Sequence, residues 1–143
     1  MTEHSLLIQE SFSKASKVYD EFSSLQRHIA DALLKKVESI PLSGRVLDIG
    51  MGTGHLLKHL RRTFADAALF GCDFAFGMLS RAQENKVPAR LVQADAGAFP
   101  FGDNTFGLVV SNVSYQWVSD LVAAFCEVKR VLRENGKFYF TVF

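Results

Sequence analysis

From Arg45 onward, short apolar runs of strand type alternate with helix-type patterns, and this alternation constrains the fold more than any other feature of the chain. The segments "RVLDI", "AALFGCD", "ARLVQAD", "TFGLVVSN" and "GKFYFTVF" read as five strands. Residues 54–64, the run "FGMLSRAQEN" and a long stretch from about 115 to 133 read as helices, the last with Leu121, Phe125, Val128 and Leu132 on one face. Strands joined through helices need right-handed crossovers, which gives an α/β architecture: a mainly parallel sheet covered on both faces. Ahead of it, residues 5–40 read as two helices with a break near Asp20. The second of these carries a stripe of Phe22, Leu25, Ile29, Leu33 and Val37, and Pro41 and Gly44 end it. The expected organisation is a helical leader or lid over residues 1–43 and an α/β domain over 44–143.

Composition removes several function classes. A chain of 143 residues with 48% hydrophobic and 22% charged residues suits one globular domain. A formal charge of +1 with scattered basic residues leaves no footprint for nucleic acid or an anionic membrane surface. Apolar runs are too short to span a bilayer, and "MTEHSLLIQE" lacks the basic start and apolar core of a secretory signal. Cys72 and Cys126 show no metal-type spacing, so two free thiols in the cytoplasm and no metal site are expected.

In sheets of this kind ligands bind beyond the carboxyl ends of the strands. The residues there are 48–54, Asp73, Asp95 and Ser111-Asn112, so three of the four strand ends carry an Asp. The first is the loop "VLDIGMGTGH", with Gly50, Gly52 and Gly54 at alternate positions and Asp48 just ahead of them. A loop for a pyrophosphate follows G-x-G-x-x-G and avoids a negative charge at that place. The ligand that fits has ribose and adenine, no pyrophosphate, and positive charge near the loop. S-adenosylmethionine has these properties: its ammonium and sulfonium suit a carboxylate, and its ribose diol suits Asp73 at the end of the second strand. Asp95 is then placed to accept from the adenine amino group.

At these residues the sequence resembles the class I S-adenosylmethionine-dependent methyltransferases. "VLDIGMGTG" is similar to their first motif and "GCDFAFGML" to their second-strand motif. "ADAGAFPFGDNTFGLVVSN" is similar to their adenine-contacting segment and fourth strand, and "EVKRVLRENGKFYFTV" to their following helix and fifth strand. The resemblance covers residues from about 44 to the end. It implies a Rossmann-like, doubly wound sheet with strand order 3-2-1-4-5, truncated relative to that family's seven-stranded fold. "FSKASKVYDEFSSLQRHIADALL" and "SNVSYQWVSD" resemble the leading helices and strand-four exit of the malonyl-carrier-protein O-methyltransferases of biotin synthesis. Methylation of a small-molecule or carrier-protein-bound acid is the function implied. Quinone-biosynthesis C-methyltransferases share a "YD"-type leader and stay in contention.

The resemblance assigns roles. Gly50, Gly52 and Gly54 would let the loop pack against the methionine portion, with Asp48 facing the ammonium. Asp73 would hold both ribose hydroxyls, Phe74 and Met78 would line the adenine pocket, and the Ala96 amide would reach an adenine nitrogen beside Asp95. Asn112 would sit beneath the methionine moiety. Phe74 and Met78 fit a core as well as a pocket. Tyr19, Gln116 and Trp117 are the candidates for a lid or substrate mouth, and no residue is assigned a catalytic role. A carboxylate acceptor needs no general base, and His55 has no evident partner carboxylate to make it one.

The sequence departs from the family pattern at Gly107, where an acidic residue is usual, and at Glu134-Asn135-Gly136, where Pro-Gly is usual. A sixth and a seventh strand are absent, which leaves Phe138, Phe140, Val142 and Phe143 bare on an edge strand and makes self-association an expectation. Two other readings remain: a nicotinamide-dependent enzyme, and a cofactor-binding but inactive partner or fragment.

Overall fold

A computed structural model describes residues 3–42 and 44–143, except the side chains of His4, Lys17, Val18, Asp20, Glu21 and Phe22. Two helices, α1 (Glu3–Phe22) and α2 (Ser24–Val37), lead into β1 (Arg45–Ile49), α3 (His55–Thr63), β2 (Ala68–Asp73), α4 (Phe76–Glu84) and β3 (Arg90–Gln93). Then come β4 (Phe106–Asn112), a single 3-10 turn (Tyr115–Trp117), α5 (Leu121–Val131) and β5 (Leu132–Thr141). The five strands form one sheet of order β3-β2-β1-β4-β5, and every pairing is parallel. The expected architecture and strand order are therefore those of the molecule.

Alternation along β1 decides what each face receives. Val46 joins a core made with Leu33, Leu34 and Val37 of α2 and Leu56, Leu57 and Leu60 of α3. Leu47 and Ile49 point the other way, to a core with Phe106 and Val109 of β4 and Ala124, Val128 and Val131 of α5. By the same alternation Asp48 faces the α2–α3 side. Central β4 is buried from Phe106 to Ser111, as a strand covered on both faces must be.

Four local expectations need correction. The break between leading helices falls at Ser23, not near Asp20. The buried stripe of α2 is Ala30, Leu33, Leu34 and Val37, whereas Leu25 is exposed; the Phe22 side chain lies outside the described ones. The long helix from 115 is really a 3-10 turn followed by α5, because Asp120 caps a new start by accepting from the Ala123 amide at 2.9 Å. Leu121 and Phe125 of α5 are partly exposed, and Leu132 already belongs to β5.

β5 begins at Leu132 because "RENG" is accommodated as a bulge. Leu132 pairs with Phe106, Lys137 pairs with Leu108, and Asn135 between them adopts φ +62°. Asn tolerates that left-handed conformation, so the segment closes without Pro-Gly. Of the four residues expected bare, Phe138 is partly buried against Tyr115 and Phe125, while Phe140, Val142 and Phe143 are exposed. α2 packs on one face of β5 through Tyr139, and among the described residues the outer edge of β5 pairs with nothing.

Candidate functional site

The carboxyl ends of β1, β2 and β4 converge on one cleft. Its floor is the loop after β1, where Gly50 and Gly52 take φ +66° and +56°, values that a side-chain-bearing residue adopts only with strain. The Gly50 and Met51 amides donate to the Cys72 carbonyl of β2 at 2.9 and 3.1 Å. A carbon added at Gly52 would meet only Tyr19 Cε1, at 3.8 Å, so the loop turns its bare side toward open space under α1. Gly54 (φ +90°) is the residue before α3; a carbon there would run into Val87, and neither cavity of the site touches it.

Asp73, at the end of β2, ties this floor together. Its Oδ2 accepts from the Gly52 amide at 2.9 Å, and its Oδ1 from the Ala75 amide at 2.8 Å. Burial pushes its carboxyl above the usual range, and the amides of Ala75, Gly52 and Phe74 pull it back. Each oxygen keeps a second lone pair for a ligand. Phe74, Met78, Asp95 and Ala96 line the same cleft. Met78 is 2% exposed. Asp95 is exposed and accepts from the Gly97 amide at 2.7 Å, which fixes the loop after β3.

Asp48 is the unusual group. It is 1% exposed, and neither carboxylate oxygen has a hydrogen-bond partner among the described residues. Burial, and then the charge of Asp73, hold it well above the ordinary carboxylate range. A buried carboxyl without donors is costly to the fold. Asp48 borders a smaller cavity that joins the cleft through Tyr19, Gly50, Gly52 and Asn112.

Other expected site residues divide. Tyr19 lines both cavities, and Trp117 lines the cleft, edge-on to Phe12 of α1 at 5.8 Å. Gln116 is exposed and lines neither cavity, because the 3-10 turn carries it outward. Asn112 borders both cavities, yet its side chain is committed to the fold: Nδ2 donates to the Gln26 carbonyl at 2.9 Å and Oδ1 accepts from Thr141 at 2.7 Å. His55 is half-buried on the smaller cavity, 4.7 Å from the His59 ring, and so sits nearer the site than its sequence context suggests. Among the described residues no group of three His, Cys, Asp or Glu is placed to hold a metal.

The sequence reading took the leader for a lid but named only Tyr19 in it, not the contacts that seat α1. Gln9 donates to the Phe74 carbonyl at 2.9 Å, and the Gly77 amide donates to Ser13 Oγ at 3.2 Å, so α1 lies across α4 and roofs the cleft. It also missed Arg27, on the smaller cavity. A signal for Arg27 existed. Positions 23, 26, 27, 30, 33, 34 and 37 lie on one helical face, and a cation on the inward face of an amphipathic helix needs a partner.

Residues 47–140 match the model of a family described as a methyltransferase domain. The chain belongs to that methyltransferase family. It is similar, at 38% identity over 141 residues, to a malonyl-[acyl-carrier protein] O-methyltransferase of Halorhodospira halophila, covering 95% of this chain and 48% of that protein. The chain thus spans about half the length of the curated relatives it matches. Among solved structures it is similar to a protein of Methanococcus maripaludis, with TM-score 0.80, 27% identity and coverage of 91% of this chain and 63% of the other. It also resembles phosphoethanolamine N-methyltransferase 2 of Haemonchus contortus in complex with S-adenosyl-L-methionine, with TM-score 0.72 and 27% identity, covering 79% of this chain and 27% of that one. In this methyltransferase domain the glycine loop, Asp73 and the orphaned Asp48 all stand at one end of the sheet.

Proposed function

We propose that the chain holds S-adenosylmethionine in the cleft and forms the cosubstrate-binding half of a methyltransferase acting on a carrier-protein-bound acid, malonyl carrier protein foremost. The observation that carries the cosubstrate reading is Asp48, a buried carboxyl with no donor, under a glycine loop that a phosphate ligand would share with a negative charge. A cationic amino-acid end supplies the missing donors and favours the ionised carboxylate; a pyrophosphate has no donor to offer it. The acceptor reading rests on the similarity to malonyl-[acyl-carrier protein] O-methyltransferases.

The roles follow from the lining. Asp73 has lone pairs left for ribose hydroxyls after it has fixed Gly52 and Ala75. Phe74 and Met78 give the adenine an apolar seat, with Asp95 and the Ala96 amide at its rim. Gly50 and Gly52 leave room for the methionine portion. S-adenosylmethionine supplies a methyl group already activated on a sulfonium, so the chain's task is positioning and exclusion of water. α1, with Ser5, Ile8, Gln9, Phe12 and Tyr19 on the cleft, serves as the lid that excludes water, and Trp117 stands at the mouth. A carboxylate acceptor arrives ionised and needs no base from the protein.

No described helix is long and apolar enough to cross a membrane, which accords with the cytoplasmic site that a carrier-protein substrate implies. The test is methyl transfer from radiolabelled S-adenosylmethionine to malonyl carrier protein, with S-adenosylhomocysteine binding measured in parallel. Transfer is the expected result. Binding without transfer to that acceptor would favour a cosubstrate-binding partner or another acceptor class; absence of both would overturn the proposal.

A further inference from the structure

The chain leaves β4 through a strained turn. Val113 adopts φ +53°, a left-handed conformation that a β-branched side chain avoids, and it is 9% exposed. Together with Asn112 and Ser114 it lines the cleft. Strain of this kind persists only where the surroundings enforce it. The enforcing residue is Thr141, the last residue of β5. The Val113 amide donates to the Thr141 carbonyl and to Thr141 Oγ1, each at 3.0 Å. The same hydroxyl donates to Asn112 Oδ1 at 2.7 Å. One side chain of the neighbouring strand thus holds two successive residues of the cleft wall.

The turn folds the exit of β4 back onto the start of the glycine loop. Ser111 Oγ donates to the Ile49 carbonyl at 2.9 Å and lies 2.7 Å from Ser114 Oγ. A carbon added at Gly50 would run into Ser114, so the two segments touch where the ligand's methionine portion is expected to lie. We propose that Thr141 is a positioning residue: by holding Val113 in its strained turn it sets the cleft wall beside Gly50 against which that portion is placed. The inference rests on the S-adenosylmethionine reading and extends it to a side chain that lines neither cavity. A hydroxyl suits the task because it accepts from one residue and donates to the next at the same time. Methyl transfer depends on such placement, since a small displacement of the reacting groups costs rate steeply.

Isothermal titration with S-adenosylhomocysteine and with adenosine, which lacks everything beyond the ribose, tests this. Thr141→Val keeps the volume and removes the hydroxyl. It is expected to weaken S-adenosylhomocysteine by about tenfold, the worth of the lost hydrogen bonding, and to leave adenosine unchanged. Thr141→Ser, which keeps the hydroxyl, should bind both probes as the parent does. Val113→Gly takes the same φ without strain and so no longer needs the lock. Adding Thr141→Val to Val113→Gly should therefore cost S-adenosylhomocysteine binding little, and this comparison decides the matter even where Thr141→Val alone folds poorly. An unchanged affinity in Thr141→Val, equal losses on both probes, or the same tenfold loss in the glycine background would each overturn the inference. Failure of the unmodified chain to bind S-adenosylhomocysteine is a different result and overturns the cosubstrate reading beneath it.

Discussion

Asp48 makes the site depend on pH in a definite direction. Its folded carboxyl is raised, first by burial and then by Asp73, so the ligand-free protein keeps a proton that the unfolded chain gives up earlier. The stability that this proton confers is full below the unfolded value of about 3.9 and is lost as pH rises through the higher folded value. The groups around it are Asp73 and Cys72 on β2, Arg27 on α2 and His55 on α3. Asp48→Asn should therefore raise the melting temperature relative to the parent more at pH 8 than at pH 5, while weakening S-adenosylhomocysteine; a gain that does not change with pH would contradict the assignment. Gly52→Val places a β-branched side chain at φ +56° in the open space below Tyr19. Loss of more than about 1.4 kcal/mol of binding, a factor of ten, is expected with the fold retained. Asp73→Ala removes the acceptor for two amides as well as for ribose, and should cost about 1.5–3 kcal/mol of affinity. A 2′,3′-dideoxy analogue should lose less; equal losses would deny Asp73 its ribose role. Glycines and strand-end acids were readable because backbone geometry and charge leave a local trace. Arg27 was harder to read, because its meaning depends on which face of α2 turns inward.

At the scale of elements, α1 is held over the cleft by a close approach. A carbon added at Gly77 would lie 2.5 Å from the Ser13 carbonyl oxygen and 2.7 Å from its Cα, backbone atoms that cannot move without displacing the helix. Gly77→Ala should loosen α1, with a cost of about 1–3 kcal/mol for the overpacked contact. Faster amide exchange across residues 5–16 and weaker S-adenosylhomocysteine binding are the expected readouts; unaltered exchange would show that α1 is not latched there. The leader was expected to act as a lid, but its seat on α4 was not legible, because Gln9 and Ser13 find their partners some 65 residues away. The start of α5 was legible in principle, since Asp120 before "LVAA" is a capping residue. The apolar spacing that runs through Tyr115 and Trp117 masked it. The bulge in β5 had a weaker signal, an Asn-Gly pair that fits several kinds of turn.

For the whole molecule, the alternation of strands and helices pointed to a mainly parallel sheet, because handed crossovers leave few topologies, and the family resemblance supplied the strand order that the sheet has. How the sheet's outer side is covered was not fixed by it. β5 has an open edge among the described residues, and beside it Leu121, Val122, Phe125, Phe140, Val142 and Phe143 are exposed around a cluster of Tyr115, Phe125, Phe138 and Phe140. Burying about 300 Å² of such surface is worth about 7 kcal/mol at ~25 cal/mol per Å². The 143-residue chain should therefore self-associate, and Phe140→Lys should shift it toward monomer in sedimentation at matched concentration. A monomer indifferent to the lysine would mean that this surface does not drive association. The central claim, that the cleft takes a cationic adenosyl ligand and not a dinucleotide, is met most directly by titrating the purified chain with S-adenosylhomocysteine and with NADH. The account predicts saturable binding of S-adenosylhomocysteine that Gly52→Val abolishes, and no saturable binding of NADH; NADH binding that Gly52→Val removes, with S-adenosylhomocysteine inert, would contradict it.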